Sequence, residues 1–230
     1  KELTVYWAKV ATPYFPLAVD LLMDMLQNSI IAEEEVEKER RVITEEINMI
    51  NDLLYLAKAE ANKIQLHIEQ IKVNEICDAV MASFSEITRE KNLKVQLEVQ
   101  RDMPTLVTDA GKIQQILENY MSNAVKFTPQ KGIITLSVVM LDDKTIRFSV
   151  ADTGCGIAEP DKEKLFQKFG QLGNPLTRES GGTGLGLAIS KELADMLAGQ
   201  VGFESQLDKG STFWLDIPPA LAKDQQQQNS

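Results

Sequence analysis

Four stretches of this sequence concentrate groups that could hold an anionic, hydrogen-bonding ligand. In the first, Asn119, Asn123 and Lys126 fall at i, i+4 and i+7, so on a helix they share one face. An amide oxygen there can ligate a hard cation and a lysine can meet phosphate, while the plainer alternative is a polar helix face. The second, Asp152-Thr153-Gly154-Cys155-Gly156-Ile157, closes an apolar strand pattern. A carboxylate in that place can accept a hydrogen bond from an exocyclic amine, and glycines let backbone approach a flat ring; an ordinary turn would look the same. The third, Leu165-Phe166-Gln167-Lys168-Phe169, precedes a polar stretch to Ser180 and reads either as the base of a lid or as a core anchor for a surface loop. The fourth, Gly181-Gly182-Thr183-Gly184-Leu185-Gly186-Leu187, runs into a helix pattern, where glycine-rich backbone N–H groups make an anion cradle. It lacks the spacing of a dinucleotide-binding fingerprint and the Lys-Ser/Thr of a P-loop, which excludes both.

The elements that must carry these groups follow from glycine, proline and apolar spacing. All 13 glycines lie at or beyond Gly111, and neither Gly nor Pro occurs from Leu17 to Met103. Long helices are therefore expected in the first hundred residues and a loop-bearing mixed domain after them. Val36, Ile43, Ile47, Ile50, Leu54 and Ala57 trace a coiled-coil-like seam, and Val10, Tyr14, Leu17 and Leu21 begin a second stripe on a helix ending near Ile31. Further on, the pattern predicts a short strand at Ile64–Ile68, a helix over Val73–Lys91 and a strand over Leu93–Val99. A helix capped by Thr108 or Asp109 should run to Phe127. A hairpin of Ile133–Met140 with Thr145–Ala151, a helix over Leu185–Leu197, and closing strands at Val201–Glu204 and Thr212–Ile217 complete the set. The expected fold is α+β: a helical hairpin, forming a four-helix bundle on dimerisation, followed by a two-layer α/β sandwich. The expected domains are 1–66, a hairpin; 67–220, a ligand-binding sandwich; and 221–230, a disordered glutamine-bearing tail.

Composition removes several function classes. A net charge of −10 over 230 residues argues against nucleic-acid binding. No apolar run approaches the roughly 18 residues of a membrane span, and no signal peptide opens the chain. Starting at Lys1, it reads as a fragment or processed product. Two cysteines, Cys77 and Cys155, fit a reduced, cytoplasmic setting better than a disulfide scaffold.

Taken together and in order, the four segments resemble the N, G1, F and G2 boxes of sensor histidine kinases, in the ATP-binding superfamily shared with gyrase, heat-shock chaperones and mismatch-repair ATPases. The resemblance covers roughly residues 70–218. It extends more faintly to Leu53-Leu54-Tyr55-Leu56-Ala57-Lys58-Ala59-Glu60, similar to the end of that family's dimerisation helix. It implies ATP and Mg²⁺ as ligands. Asn123 would hold the metal, Lys126 would contact phosphate and Phe127 would flank the nucleotide. Asp152 would read the adenine amine, with Gly154, Gly156 and Ile157 shaping its pocket and Phe166 near the lid. Gly182, Thr183, Gly184, Leu185 and Gly186 would support lid and phosphates. Asn119 stands where hydrolases of the superfamily carry a glutamate, which favours phosphoryl donation over hydrolysis.

The resemblance also implies an acceptor histidine in the first helix, within a motif like His-Glu-x-x-Thr/Asn-Pro. The stretch Trp7-Ala8-Lys9-Val10-Ala11-Thr12-Pro13-Tyr14 puts Ala8 in that position, or Ala11 if Pro16 sets the match; the only histidine is His67. A methyl group cannot be phosphorylated. The expectation is an ATP-binding, dimerising kinase core that either phosphorylates a partner's histidine in trans or serves as a pseudokinase scaffold. Its partners would be a response-regulator receiver domain or another histidine kinase, and a serine/threonine kinase on the same fold is a further alternative.

Overall fold

The computed structural model describes residues 12–27, 33–61, 63–170 and 183–221. The chain divides into two compact units, Lys1–Glu46 and Ile47–Ser230. The first contains a short 3-10 turn, Thr12–Tyr14, then α1 (Phe15–Gln27) and the start of α2 (Glu33–Glu60). Leu17 and Leu21 of α1 are exposed, and so is the α2 seam at Val36, Ile43, Ile47, Ile50 and Leu54. Trp7, Ala8, Lys9 and Ala11 lie outside the described residues.

The second unit begins within α2. Its elements are β1 (Glu69–Lys72), α3 (Val73–Glu90), β2 (Lys94–Val99), β3 (Thr105–Thr108), α4 (Ala110–Phe127), β4 (Ile133–Met140), β5 (Ile146–Asp152), α5 (Glu159–Lys162), α6 (Gly186–Met196), β6 (Gln200–Gln206) and β7 (Gly210–Ile217). Five strands form a mixed sheet in the order β2-β4-β5-β7-β6, with β2 parallel to β4 and the rest antiparallel. Alternation sorts the faces. On β5, Ile146, Phe148 and Val150 are buried under the helices, and their partners in register, Leu136 with Val150 and Leu215 with Phe148, face the same way. Fully burying a side chain such as Phe148 contributes about 2–3 kcal/mol. The other face is polar, where Arg147 holds Asp216 through two hydrogen bonds of 2.7 Å and stacks 4.8 Å from the Trp214 ring. This α+β arrangement, helices α3, α4 and α6 over one mixed sheet, is the expected sandwich.

One strand expectation fails. Residues 63–68 are irregular, and pairing starts only at Glu69, antiparallel to β3. The alternating Leu66 and Ile68 do pack on the core. The backbone beside them is claimed by a side chain rather than a ladder: the His67 N–H donates to Asp109 Oδ2 at 2.8 Å. Strand β3, absent from the sequence reading, is pinned from its other side, with Val107 N donating to Pro219 O at 2.9 Å and Leu221 N to Val107 O at 3.1 Å. Among the described residues no helix is long and apolar enough to cross a membrane.

Candidate functional site

Helix α4 is the spine of the site. Asp109 caps it, its Oδ1 accepting from Lys112 N at 3.1 Å. Ile113, Ile116, Leu117, Tyr120, Met121 and Ala124 bury one face. At the far end the Lys91 ammonium donates to the carbonyls of Val125 and Lys126, a cation placed against the negative end of the helix dipole. The opposite face is thereby fixed, and Gln115, Asn119, Ser122, Asn123, Lys126 and Phe127 line a cavity of about 600 Å³.

These groups are not equivalent. Asn119 is engaged: its Nδ2 donates to Ser190 Oγ at 2.9 Å, and Ser190 donates to Gly186 O at 3.0 Å. Gly186 has no room for a Cβ, which would collide with Asn119 Oδ1, so this glycine lets α6 approach α4. Among the described residues Asn123 has no side-chain hydrogen-bond partner, so its amide is available to a ligand. Lys126 Nζ lies 5.0 Å from the centroid of the Phe127 ring.

Across the cavity, Asp152 ends β5 with Oδ1 accepting from Gly154 N at 2.7 Å. Burial raises its pKa above the ordinary carboxylate value, opposed by the N–H groups of Gly154 and Ser211. The bond to Gly154 orients the carboxylate while leaving acceptor capacity for a ligand. Gly156 at φ 65° carries the chain past the Gln206 carbonyl, which a Cβ would overlap. Next to it, Ile157 N donates to Ser205 Oγ at 2.9 Å, tying the loop to β6. Ile157, Leu165, Ile189 and Phe213 make the walls apolar, as a flat ring requires.

The third wall is the start of α6, where Thr183, Gly184 and Gly186 line the cavity. Gly184 takes φ 69°, and Leu185 N donates to Thr183 Oγ1 at 3.1 Å. Of the residues singled out in the sequence, the structure brings together Asn119, Asn123, Lys126, Phe127, Asp152, Gly156, Ile157, Thr183, Gly184 and Gly186. Three described ones lie off the lining. Gly154 acts on Asp152 from behind. Phe166 turns to Phe203, their centroids 6.0 Å apart. Leu185 is wholly buried in the core. Gly182, with the polar stretch 171–182, lies outside the described residues.

The sequence reading missed Asn48 and Asp52 of α2, and also Cys155, Asp161, Ser190 and Ser211. Cys155 could have been found, since it sits between the two glycines of the second segment; burial raises its thiol pKa. Ser190 could have been found as one α6 turn beyond Gly186. Nothing in the sequence pointed to Asn48 or Asp52.

An amide-lined helix, a half-buried carboxylate at a strand end and a glycine-rich helix start now enclose one cavity. Residues 108–221 match the family described as histidine kinase-, DNA gyrase B- and HSP90-like ATPase. Residues 108–221 carry an ATPase domain of this family. The chain is similar to the circadian input-output histidine kinase CikA of Synechococcus elongatus, 38% identical over 174 residues, covering 75% of this chain and 23% of that protein. The signal transduction histidine-protein kinase BarA of Escherichia coli K12 is 36% identical over 173 residues, 74% of this chain and 19% of BarA. The chain thus spans about a fifth of the length of these relatives. Among solved structures, full-length ShkA in complex with AMPPNP superposes with a TM-score of 0.69 at 31% identity, over 86% of this chain and 41% of ShkA. The catalytic domain of histidine kinase ThkA superposes with a TM-score of 0.59 at 27% identity, over 68% of this chain and 100% of that domain.

A second match concerns the other end. Residues 1–72 match the family described as insulinase (peptidase family M16). Ala8 and Ala11 both fall within it, so the stretch aligned above with a kinase acceptor helix is also similar to a family that is not a kinase.

Proposed function

We propose that the ATPase domain binds Mg-ATP and donates its γ-phosphoryl group to a histidine on another polypeptide. The observation that carries the reading is the single cavity walled by Asn123, Lys126, Asp152 and the Thr183–Gly186 turn. Asp152 would accept from the adenine amine, Ile157 and Phe213 would sandwich the ring, and Lys126 with the N-terminal end of α6 would meet the phosphates. Among the described residues no group of three His, Cys, Asp or Glu side chains could hold a metal. A magnesium ion would therefore take most of its ligands from phosphate and water, with Asn123 Oδ1 as the side-chain ligand, an arrangement usual for this cation. Bound there, it would neutralise phosphate charge; the chain's part is to fix the nucleotide in line for transfer. Asn119, held by Ser190, offers no base to activate water, which fits donation better than hydrolysis.

The exposed α2 seam supports self-association of the helices, and a response-regulator receiver domain or a histidine-bearing kinase is the expected partner. The insulinase match favours a second reading of the N-terminal residues. In it they are a segment of peptidase-family type, and Ala8 and Ala11 replace nothing. Either way, these 230 residues offer no histidine besides His67. Titration calorimetry with Mg-ATP tests the core of the proposal. Wild-type chain should bind at micromolar to millimolar levels, and Asn123→Ala should lose the magnesium-dependent part of that affinity with an unchanged melting curve. No heat with the wild type would end the nucleotide reading.

A further inference from the structure

Asp52 and Thr183 are 131 residues apart in sequence, yet the Thr183 hydroxyl donates to Asp52 Oδ2 at 2.8 Å. Both line the cavity, together with Asn48 one turn earlier on α2. The same hydroxyl oxygen accepts from Leu185 N at 3.1 Å. A relay thus runs from the single N–H of Leu185, just before α6, through a hydroxyl to a carboxylate. Leu185, the residue before α6, supplies no side-chain cap; its N–H is taken by the Thr183 hydroxyl, which itself donates to a carboxylate of α2.

The docking of α2 that brings Asp52 here uses one helix face. Asp52, Tyr55 and Leu56 fall at i, i+3 and i+4; Leu56 is 4% exposed, and Tyr55 packs on the core beneath Lys112, whose ammonium lies 5.4 Å from its ring. The fit is imperfect. Tyr55 Oη is buried with no hydrogen-bond partner among the described residues, a cost set against the docked state.

We propose that Asp52 is an intramolecular competitor for the phosphate position, so that a nucleoside triphosphate and the docked end of α2 exclude one another. This rests on the nucleotide reading above. A triphosphate brings several negative charges and many acceptor oxygens to the cavity wall where Asp52 offers one carboxylate to Thr183, and two anions in one cavity repel. Linkage makes the effect reciprocal: whatever holds Asp52 in place weakens triphosphate binding, and triphosphate binding frees residues 52–60 of α2. Adenosine, which occupies only the Asp152 end, is indifferent to the contact.

The test uses the whole chain with Mg-ATP and adenosine, by calorimetry and by amide hydrogen exchange. Asp52→Asn should bind Mg-ATP about fivefold more tightly than wild type, with adenosine affinity unchanged. In wild type, saturating Mg-ATP should speed exchange at residues 52–60; in the variant those amides should exchange fast without nucleotide. Unchanged exchange in wild type on saturation with Mg-ATP overturns the inference whatever the variant does. So does unaltered Mg-ATP affinity in Asp52→Asn. A loss of affinity confined to magnesium-containing buffer overturns it too, by making Asp52 a metal ligand. An equal change for adenosine would assign Asp52 to the shape of the domain instead. Wild type that binds neither ligand ends the nucleotide reading itself, whereas normal binding with any of the other adverse outcomes ends only this inference.

Discussion

At Asp152, binding and stability pull in opposite directions. Its pKa is raised chiefly because burial disfavours the charged form, against the N–H bonds of Gly154 and Ser211 that favour it. A carboxyl whose pKa is raised in the fold stabilises the fold at low pH, and that contribution is lost as pH rises through its titration range. At pH 7 the ionised group is therefore a burden that Asn does not carry. Asp152→Asn should melt no lower than wild type at pH 7, with the difference closing as the pH falls below about 4, the ordinary carboxylate range. A variant that melts lower at pH 7 would mean that the two N–H bonds outweigh burial. The same substitution replaces a charged acceptor by a neutral amide and should weaken ATP binding about tenfold or more. Stability kept and affinity lost is the pattern of a binding residue, and melts paired with calorimetry on one preparation read both.

Helix α2 shows how far an element can be read from its own sequence. Its seam of Val36, Ile43, Ile47, Ile50 and Leu54 was legible because heptad-like spacing is local information, and those side chains are exposed. Ile47→Glu with Leu54→Glu should therefore turn any dimer seen by light scattering into a monomer and leave ATP binding intact; a wild type that is monomeric at every concentration would remove the seam's role. The other face of the helix was not legible. Asp52 looks like any solvated carboxylate until a threonine 131 residues away meets it, and no periodicity carries such a pairing. Ile64–Ile68 was misread as a strand for a related reason: alternating Leu66 and Ile68 match a strand, but a strand needs a partner, and the Asp109 carboxylate took the His67 backbone N–H instead. The cavity motifs were readable where backbone geometry dictates residue type, at Gly156, Gly184 and Gly186. They were not readable where a side chain merely packs elsewhere, as Phe166 and Leu185 do.

At the scale of the whole chain, the proposed donor site has no histidine within reach. His67 is the only histidine, and its backbone N–H is bonded to Asp109 at the N-terminal end of α4. Asn123 lies fourteen residues further along that helix, about 20 Å by helical rise, beyond the reach of an imidazole. In-line transfer breaks the bond from the γ-phosphorus to the bridging oxygen of the leaving diphosphate as a new bond forms to the acceptor nitrogen, so the two atoms must first sit within about 3–3.5 Å of each other. Incubation with Mg-ATP and intact-mass measurement should therefore show the chain unmodified. Adding a polypeptide that carries an acceptor histidine on a helical hairpin should label that polypeptide alone, with an acid-labile phosphoryl group. Acid-stable phosphate on the added protein would instead mark hydroxyl transfer. Phosphate on His67 would mean that residues 63–68 leave Asp109 and cross the length of α4, which the His67–Asp109 bond and the packing of Leu66 and Ile68 on the core oppose.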